Sequence, residues 1–439
     1  MGEAGDEFEL RSFHAEHFAE HIEDRIVGSS VFRRRGHRHL QRPGLHAHHG
    51  VLPGRRLGTE CERGAFRVRS NRDGHQALFS LVNSRAKLYQ LWNRRFVRPI
   101  VGVAFMDRLF GVMLRGTGRG LPSRIVTNEE FTDALNLETS DEWIRTRTGI
   151  RERRFAELGE TSASLGTVAS RMALESSGLA AGDLDLIICA TVTPDLMCPA
   201  NACLIQAALG CRPIPAFDIS AACSGFLYAL SVATQFIRTG ASRHALVVGA
   251  EVLSRTLDFK DRNSCILFGD GAGAVILSAT DVNRPVGIRN VRLYSDGARQ
   301  EFIQVPSKVT PNPPPGTGLL QHLEFIRLNG REVFKFAVYR MIELIERAEE
   351  DCQALGLSGV DLLIPHQVNQ RIIDSALEAT SFPPEKVMVN LDKYGNTSAA
   401  SVPIALDEAI RTGRCKPGDT VLLVAFGGGL TWSSALITL

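Results

Sequence analysis

Two blocks of this sequence occur twice in the same order, and this internal duplication limits the possible folds more than any other feature. The segment SSGLAAGDLDLII (176–188) resembles ALGLSGVDLLI (354–364), and each ends a helical pattern. The tetrapeptide IRTG precedes the apolar run ALVVGAE (245–251) and, 173 residues later, precedes TVLLVAF (420–426). Two ordered matches in the same context predict a duplicated α/β unit. We expect two halves that meet near 281–287 and pack as one compact unit.

Apolar runs alternate with helical periodicity from residue 109 onward, which is the pattern of an α/β fold. Short continuous apolar runs are typical of buried strands, and apolar residues at every third or fourth position are typical of helices. The runs predict strands at 184–190, 245–250, 272–277, 362–365 and 420–425. The periodic segments predict helices at 162–177, 201–209, 224–238, 330–355, 370–379 and 399–411.

The first 105 residues differ in composition from the rest. They contain 18 Lys and Arg against 11 Asp and Glu, and nine of the twelve histidines, whereas residues 106–439 carry a balance of −5. One interpretation is an arm that binds nucleic acid or metal through RRRGHRH (33–39) and HAHH (46–49). A second is a disordered extension. We favour a third, a wrongly assigned start codon ahead of Met106, because the segment has no hydrophobic periodicity.

Composition excludes several classes of protein. The 439 residues are 44 % hydrophobic and 22 % charged with a net charge of +2, which is typical of a soluble globular protein and argues against a nucleic-acid partner. No apolar run reaches the ~18 residues of a membrane span, and MGEAGDEFEL has no signal-peptide core. Nine cysteines without CxxC pairs fit a reducing compartment. We therefore expect a cytoplasmic protein without membrane contact.

Cys223 lies in AFDISAACSGFLYAL (216–230), where a strand-like run gives way to a predicted helix. A thiol at a helix N-terminus faces unpaired N–H groups and the positive end of the helix dipole, and both favour the nucleophilic thiolate. The small residues beside it would let a substrate carbonyl approach the sulfur. The alternative is a buried, unreactive cysteine, which we expect for the other seven cysteines after residue 105.

Three further positions carry polar or backbone groups at the ends of predicted elements. His366 follows the apolar strand in LLIPHQVNQRII (362–373), where α/β sheets usually expose functional side chains. Asn396 precedes a small-residue helix start, and Gly427–Gly429 end a strand with N–H groups suited to binding a reacting oxygen. The alternatives are an exposed loop histidine, a capping asparagine and a plain turn.

Together these motifs resemble those of β-ketoacyl-acyl-carrier-protein synthase III, a condensing-enzyme family of the thiolase superfamily. AACSGF, PHQVN, GNTSAAS and AFGGG occur in that family's order, as do TSDEWIRTRTGIRER (139–153) and FGDGAGAVIL (268–277). Residues 1–105 have no counterpart in the family. The resemblance implies a five-layered αβαβα fold of two duplicated halves, with the nucleophile in 106–283 and the histidine, asparagine and glycine loop in 284–439.

The resemblance also implies a reaction. Cys223 would attack the thioester of an acyl-CoA, by default acetyl-CoA, and carry the acyl group. His366 and Asn396 would bind the thioester oxygen of malonyl-ACP as it loses CO2 and becomes an enolate. Backbone N–H groups of Cys223 and Gly428 would form the oxyanion hole, and no metal or other cofactor would take part.

The same resemblance implies a binding site for CoA. Trp143 and Arg262 would sandwich the adenine in an aromatic–guanidinium stack. Arg147 and Thr148 would lie beside the nucleotide, and Asn369 would lie in the pantetheine tunnel. Each position is otherwise an ordinary surface residue.

A carrier-protein contact and a second subunit are implied as well. The segment that would contact the acyl carrier protein contains Gln367, Val368, Asn369, Gln370 and Arg371, and Arg371 would meet the acidic surface of the carrier. The family is dimeric, so the resemblance predicts a homodimer.

Related activities are separated by single residues. Degradative thiolases need a second cysteine in the glycine loop, which here reads GGGLTW, and elongating synthases have a second histidine where this chain has Asn396. The alternative is a related Cys-His-Asn enzyme that starts polyketide or secondary-metabolite synthesis. Cys198 stands where some members have a bulky phenylalanine that limits the acyl pocket, so longer or branched primers are also open. A non-catalytic protein on this scaffold is disfavoured because all three side chains are present.

Overall fold

The computed structural model describes residues 109–133, 137–308, 322–323 and 325–439, so the interpretations of residues 1–105 lie outside the described residues. Its strands are β1 (Gly111–Gly120), β2 (Arg124–Thr127), β3 (Glu152–Phe155), β4 (Leu186–Ala190), β5 (Ala216–Ile219), β6 (His244–Val252), β7 (Asp270–Thr280), β8 (Gly287–Ser295), β9 (Ile303–Gln304), β10 (Ser307–Lys308), β11 (His322–Leu323), β12 (Arg327–Leu328), β13 (Leu362–Pro365), β14 (Thr420–Gly427) and β15 (Thr431–Thr438). Its helices are α1 (Asn128–Asp133), α2 (Asp141–Thr148), α3 (Ser162–Ser177), α4 (Asn201–Leu209), α5 (Gly225–Arg238), α6 (Gly330–Ala354), α7 (Gln370–Thr380), α8 (Leu391–Tyr394) and α9 (Ser401–Arg411).

Local capping explains why two helices have the predicted bounds. Helix α3 begins after Thr161, whose side chain accepts from the Ser164 backbone N–H while the Ser164 hydroxyl oxygen accepts from the Thr161 backbone N–H. This reciprocal pair is a capping box. Both α3 and α4 end at a glycine in the left-handed conformation, Gly178 and Gly210, as helix C-termini commonly do.

The two central helices begin later than predicted. Residues Ala222–Ser224 form a 3-10 turn, so α5 begins at Gly225. Residues Ser398–Ala400 form a second 3-10 turn, so α9 begins at Ser401. Both turns belong to the site described below. The small residues of these turns gave the sequence no signal for where each helix begins.

Two sheets repeat one arrangement of strands. The first has the order β1-β7-β6-β4-β5 and the second has the order β13-β14-β15-β8. Strand β4 is parallel to β6, and β6, β7 and β1 alternate in direction, while β13 is parallel to β14, and β14, β15 and β8 alternate in the same way. The duplication predicted from the sequence is therefore confirmed.

The layers follow from which helices contact which sheet. Helices α5 and α9 lie between the sheets, because α5 contacts β4 and β6 as well as β8 and β15, and α9 contacts β1 and β7 as well as β13 and β14. Helix α3 covers the other face of the first sheet, and α6 covers the second with α7 beside it. The result is the predicted five-layered αβαβα fold. Within the described ranges, no helix is long and apolar enough to cross a membrane.

Candidate active site

Cys223 lies in the 3-10 turn Ala222–Ser224, between β5 and α5. The residue before it, Ala222, has φ +45°, in the left-handed region that a residue with a Cβ rarely adopts. Such strain costs about 1–3 kcal/mol and persists only where the surrounding structure holds it. Here Gly427 at the end of β14 packs directly against the turn, since a methyl group at position 427 would stand 2.8 Å from both Cβ and N of Cys223. The glycine is needed for this approach.

The protonation state of Cys223 differs from the sequence expectation. Burial raises the pKa of its thiol to about 12, and although the Ser398 hydroxyl lowers it, the charge of Glu251 raises it further. Loss of water around the sulfur therefore outweighs the helix N-terminus that was expected to favour a thiolate. Cys223 rests as a thiol and must release its proton as it attacks.

His366 follows β13 and lies inside the protein, with 1 % of its surface exposed. Its backbone N–H donates to Val424 O at 2.7 Å, and its ring meets the Phe426 ring edge-on with centroids 5.5 Å apart. Nδ1 lies 2.6 Å from the Ser401 hydroxyl oxygen. Burial lowers the pKa of the imidazole to about 3. His366 is therefore neutral at physiological pH and can offer one N–H.

Asn396 is held on both sides of its backbone. Its N–H donates to Leu267 O at 2.8 Å, and its carbonyl accepts from Gly269 N at 3.0 Å. The side-chain oxygen accepts from the Ser398 backbone N–H at 2.8 Å. Because a backbone N–H can only donate, this contact identifies the amide oxygen and leaves the NH2 group as the end that can donate to a ligand.

The glycine loop, Gly427–Gly429, lies beside the Cys223 turn. A methyl group at Gly428 would stand 3.5 Å from Ala222 Cβ. The Thr431 hydroxyl lies 3.1 Å from both Ala221 O and Gly428 O, which ties the loop to the turn. The first half thus supplies the thiol, and the second half supplies the loop that covers it.

A second cluster carries the residues expected to bind CoA. The Arg147 and Arg262 guanidinium carbons lie 4.5 Å and 5.1 Å from the centroid of the Trp143 ring. Arg262 also donates to Glu138 O. Thr148 is different, because its buried hydroxyl donates to Ile144 O and accepts from a neighbouring backbone N–H, so it shapes the end of α2. An indole with two guanidinium groups is a surface on which a planar base can stack.

Comparison with known proteins decides the family. The family model described as 3-oxoacyl-[acyl-carrier-protein (ACP)] synthase III matches residues 217–297, and the model of its C-terminal part matches 351–439. The β-ketoacyl-[acyl-carrier-protein] synthase III of Sphingopyxis alaskensis is 48 % identical over 325 residues, which cover 74 % of this chain and 98 % of that relative. The chain belongs to the β-ketoacyl-[acyl-carrier-protein] synthase III family.

Solved structures of this family have the same fold. The 3-oxoacyl-[acyl-carrier-protein] synthase III of Aquifex aeolicus VF5 is 45 % identical with a TM-score of 0.67, covering 75 % of this chain and 100 % of its own. The priming β-ketosynthase of the R1128 polyketide pathway is 34 % identical with a TM-score of 0.67, covering 77 % and 98 %. As a β-ketoacyl-[acyl-carrier-protein] synthase III family member, the chain is an acyltransferase of the condensing-enzyme class.

The segment for which the family implies a carrier-protein contact is only partly exposed. Gln367 is buried, and its amide donates to Pro365 O and Met388 O and accepts from the N–H groups of the Asn390–Leu391 backbone. Gln367 is therefore a structural residue, and its side chain faces inward rather than toward a docking partner.

The rest of that segment surrounds the start of α7. Val368 packs on the core, the Asn369 side chain caps α7 by accepting from Arg371 N at 2.9 Å, and the Gln370 amide donates to Asp374 at 2.7 Å. Arg371 is exposed, with its guanidinium carbon 6.0 Å from the Phe334 ring centroid. It is the member of this segment whose charge faces outward.

Sequence reasoning missed a buried carboxyl near the thiol. Glu251, at the end of β6, is fully buried and accepts from the Thr193 hydroxyl at 2.6 Å and from the backbone N–H groups of Val192 and Thr193 at 3.1 Å. Burial raises the pKa of Glu251 to about 7 despite these donors. A single acid at the end of the apolar run ALVVGAE (245–251) was the available signal, because an acid is almost never fully buried unless it is paired.

Two serines beside Asn396 were missed as well. Ser398 and Ser401 lie in the quoted motif GNTSAAS, yet the motif does not reveal which hydroxyls face inward. Ser398 has φ +49°, and its hydroxyl lowers the pKa of both Cys223 and Glu251, while Ser401 Oγ lies 2.6 Å from His366 Nδ1. Among the described residues, no three His, Cys, Asp or Glu side chains form a cluster that could hold a metal ion.

Proposed function

We propose that this chain starts fatty acid synthesis: an acyl-CoA acylates Cys223, and a decarboxylative condensation with malonyl-ACP then gives 3-oxoacyl-ACP, CoA and CO2. The observation that carries the proposal is the close packing of the half-buried Cys223 against the glycine loop of the other half, where a methyl group at Gly427 would stand 2.8 Å from Cys223 Cβ. The nucleophile belongs to 106–283, and His366, Asn396 and the glycine loop belong to 284–439.

In the first step, Cys223 forms a bond to the acyl carbonyl carbon and CoA leaves as its thiol. The proton released from Cys223 is the one the CoA sulfur needs, so the step balances. Backbone N–H groups of Cys223 and Gly428 bind the oxyanion of the tetrahedral intermediate. Losing one such donor typically costs about 10²–10³ in rate, so the position of the glycine loop matters as much as the thiol.

In the second step, the malonyl group loses CO2 and its thioester oxygen takes up negative charge. Two neutral donors, the His366 imidazole and the Asn396 amide, bind that oxygen. A neutral histidine donates a hydrogen bond without protonating the enolate, and its low pKa keeps it in that form. The enolate carbon then attacks the acyl carbonyl, and Cys223 leaves as a thiolate that takes up a proton from solvent, its own proton having left with CoA in the first step.

Substrate contacts divide between the Trp143 cluster and the start of α7. Trp143, Arg147 and Arg262 bind the nucleotide of CoA, and Thr148 stabilises the end of α2 beside them. Asn369 lies at the pantetheine path, and Arg371 meets the acidic surface of the carrier protein, with Val368 and Gln370 beside it. The exposed guanidinium of Arg371 supports this assignment, whereas the buried Gln367 acts only through the backbone it holds.

The working form that we propose is a cytoplasmic homodimer without a bound cofactor. In the described part of the chain β5 is an edge strand, and its four residues are all half-buried. Nearby Leu196 and Met197 expose 49 % and 78 % of their surface. A second copy that extends the sheet at this edge would cover them. The eight cysteines of the described residues are all unpaired, which supports a reducing compartment.

The second candidate is a priming synthase of polyketide synthesis. The likeness to the R1128 priming enzyme favours it, at 34 % identity over nearly the whole of that chain. Cys198 is exposed and stands where some family members have a bulky phenylalanine that limits the acyl pocket of the partner subunit, which supports acceptance of longer or branched primers.

One experiment tests both candidates. The full chain is incubated with acetyl-CoA or with longer and branched acyl-CoAs, and intact-protein mass spectrometry locates the acyl group. Malonyl-ACP or malonyl-CoA is then added and the product identified. Acylation of Cys223 by acetyl-CoA, followed by product only with malonyl-ACP, supports the proposal. Product formed with malonyl-CoA supports the second candidate, and no acylation of a folded protein contradicts both.

A further inference from the structure

We propose that Ser401 selects the tautomer of His366: its hydroxyl donates to Nδ1, so that the single imidazole proton stands on Nε2 and faces the substrate. Ser401 is then a positioning residue, because it acts through His366 and touches no reacting atom. The inference rests on the proposed function for its consequence, but its structural content concerns two side chains of this chain alone.

The contact itself is short and enclosed. Ser401 Oγ and His366 Nδ1 are 2.6 Å apart, and each residue exposes only 1 % of its surface. Water therefore has no access with which to replace either partner. Because Nδ1 is occupied, Nε2 is the nitrogen that remains for a ligand.

The direction of the bond follows from the hydrogen that each group carries. If Nδ1–H donated to Ser401, the hydroxyl proton would need a second acceptor. Among the described residues, His366 is the one hydrogen-bond partner seen for this hydroxyl. A buried hydroxyl proton without an acceptor is costly, so the arrangement in which Ser401 donates is the favoured one.

The tautomer matters because burial keeps the imidazole neutral. A neutral imidazole has one N–H and one lone pair. With the proton on Nε2, His366 donates to the oxygen that becomes negative during decarboxylation. With the proton on Nδ1, a lone pair faces that oxygen and repels the developing charge. One hydrogen bond to Ser401 therefore decides whether His366 stabilises or opposes the enolate.

The neighbouring donor is set in the same way by the same segment. The Ser398 backbone N–H occupies the oxygen of Asn396 and leaves its NH2 group free to donate. The Ser401 hydroxyl occupies the acceptor nitrogen of His366. Residues 396–401 thus decide for both side chains which end is left to donate, which a purely packing role for Ser401 would not require.

The test compares Ser401→Ala with Ser401→Thr, which keeps the hydroxyl, and with Ser170→Ala. Ser170 is a matched control because its buried helical hydroxyl donates to Gly166 O in α3, away from the site. We expect Ser401→Ala to acylate Cys223 within about twofold of wild type and to decarboxylate malonyl-ACP about 10- to 100-fold more slowly, in kcat rather than KM. Ser401→Thr restores decarboxylation, and Ser170→Ala leaves both reactions unchanged.

A measurement on the unaltered protein keeps the inference separate from the proposed function. The ¹⁵N NMR spectrum of histidine-labelled full chain, assigned with His366→Gln, reports which nitrogen of His366 carries the proton. A proton on Nε2 that shifts toward Nδ1 in Ser401→Ala supports the inference even if no substrate is found. A proton on Nδ1 in wild type, or equal decarboxylation by Ser401→Ala and wild type, overturns it. Failure of wild type to acylate Cys223 counts against the proposed function only.

Discussion

The two central helices begin with the same backbone geometry, a 3-10 turn with one left-handed residue, but the two turns carry different side chains. In the first half, Ala222 has φ +45° and the 3-10 turn Ala222–Ser224 leads into α5. In the second half, Ser398 has φ +49° and the turn Ser398–Ala400 leads into α9. The residue after the strained one is Cys223, the proposed nucleophile, in the first turn and Ala399 in the second. The backbone geometry is the same in both copies, and the side chains differ.

Each turn is held by a glycine from the sheet of the other half. Gly427 of β14 approaches Cys223, and Gly249 of β6 approaches the second turn so closely that a methyl group there would stand 2.3 Å from Ala399 O. The strained turns are therefore held across the interface between the halves. These two close approaches help to join the halves into one compact unit.

The largest effect is expected from replacing Cys223, the side chain that distinguishes the turn Ala222–Ser224 from the turn Ser398–Ala400. Cys223→Ser should lower acyl-enzyme formation at least ~10³-fold, because the hydroxyl is a far weaker nucleophile in the same place. Intact-protein mass spectrometry after incubation with acetyl-CoA measures this. Cys203→Ser, at a half-buried cysteine on α4, should acylate normally. An acylated Cys223→Ser protein would sink the assignment of the nucleophile.

Glu251 lies between the two turns, and its charge makes stability depend on pH. Its pKa is about 7 in the folded protein against 4.5 ordinarily. The folded state therefore holds this proton more tightly, so its contribution is full below pH 4.5 and is lost as pH rises through 7. Relative to Glu251→Gln, wild type should lose about 3 kcal/mol of unfolding free energy between pH 4 and 8.

Urea unfolding of both proteins across this range measures the difference. His366, whose pKa is lowered to about 3, acts in the opposite sense by losing stability as pH falls below 6.5. It is present in both proteins and cancels in the comparison. A difference that does not vary with pH would show that Glu251 is not buried as a titrating acid.

A methyl group added to either Gly427 or Gly249 should displace only the turn that this glycine approaches. Gly427→Ala should displace Cys223 and slow acylation about 10²-fold, with a loss of roughly 1–3 kcal/mol in unfolding free energy from overpacking. Gly249→Ala should displace the second turn and slow decarboxylation more than acylation. The two partial reactions, measured separately, give the split.

Gly182→Ala is the matched control for both glycine variants. No atom lies within 4 Å of where its methyl group would stand, so neither partial reaction should change. Equal losses of both reactions in Gly427→Ala and Gly249→Ala would mean that the turns do not act independently.

The smallest effect is expected at the exposed surface, where neither turn is involved. Arg371→Glu should weaken use of malonyl-ACP about tenfold while leaving acylation by acetyl-CoA unchanged, because the carrier surface it meets is acidic. The loss should shrink at high salt, since exposed charges are screened. Arg284→Glu changes an exposed arginine elsewhere and should have no effect. Equal losses in both half-reactions would contradict the docking role.

The sequence predicted the parts of the site that depend on local pattern. Helices with strong caps, such as α3, and motif side chains such as Cys223 and His366 could be placed from residues alone. The left-handed backbone of Ala222 and Ser398 could not be predicted, because it depends on the strand of the other half that packs against each turn. The resting thiol and the inward-facing Gln367 could not either, since both follow from burial, and burial is decided by residues far away in the chain.

The second sheet has a consequence for how the chain comes to be folded. In the described part of the chain β8 pairs only with β15, which follows it by well over a hundred residues. A contact between such distant segments forms slowly, because closing the long loop costs entropy before the contact contributes any stability. While β15 is absent, β8 lacks its partner and α5 lacks the strand that covers it on that side. A growing chain therefore exposes an unpaired strand edge until β15 has been made, and such an edge favours aggregation.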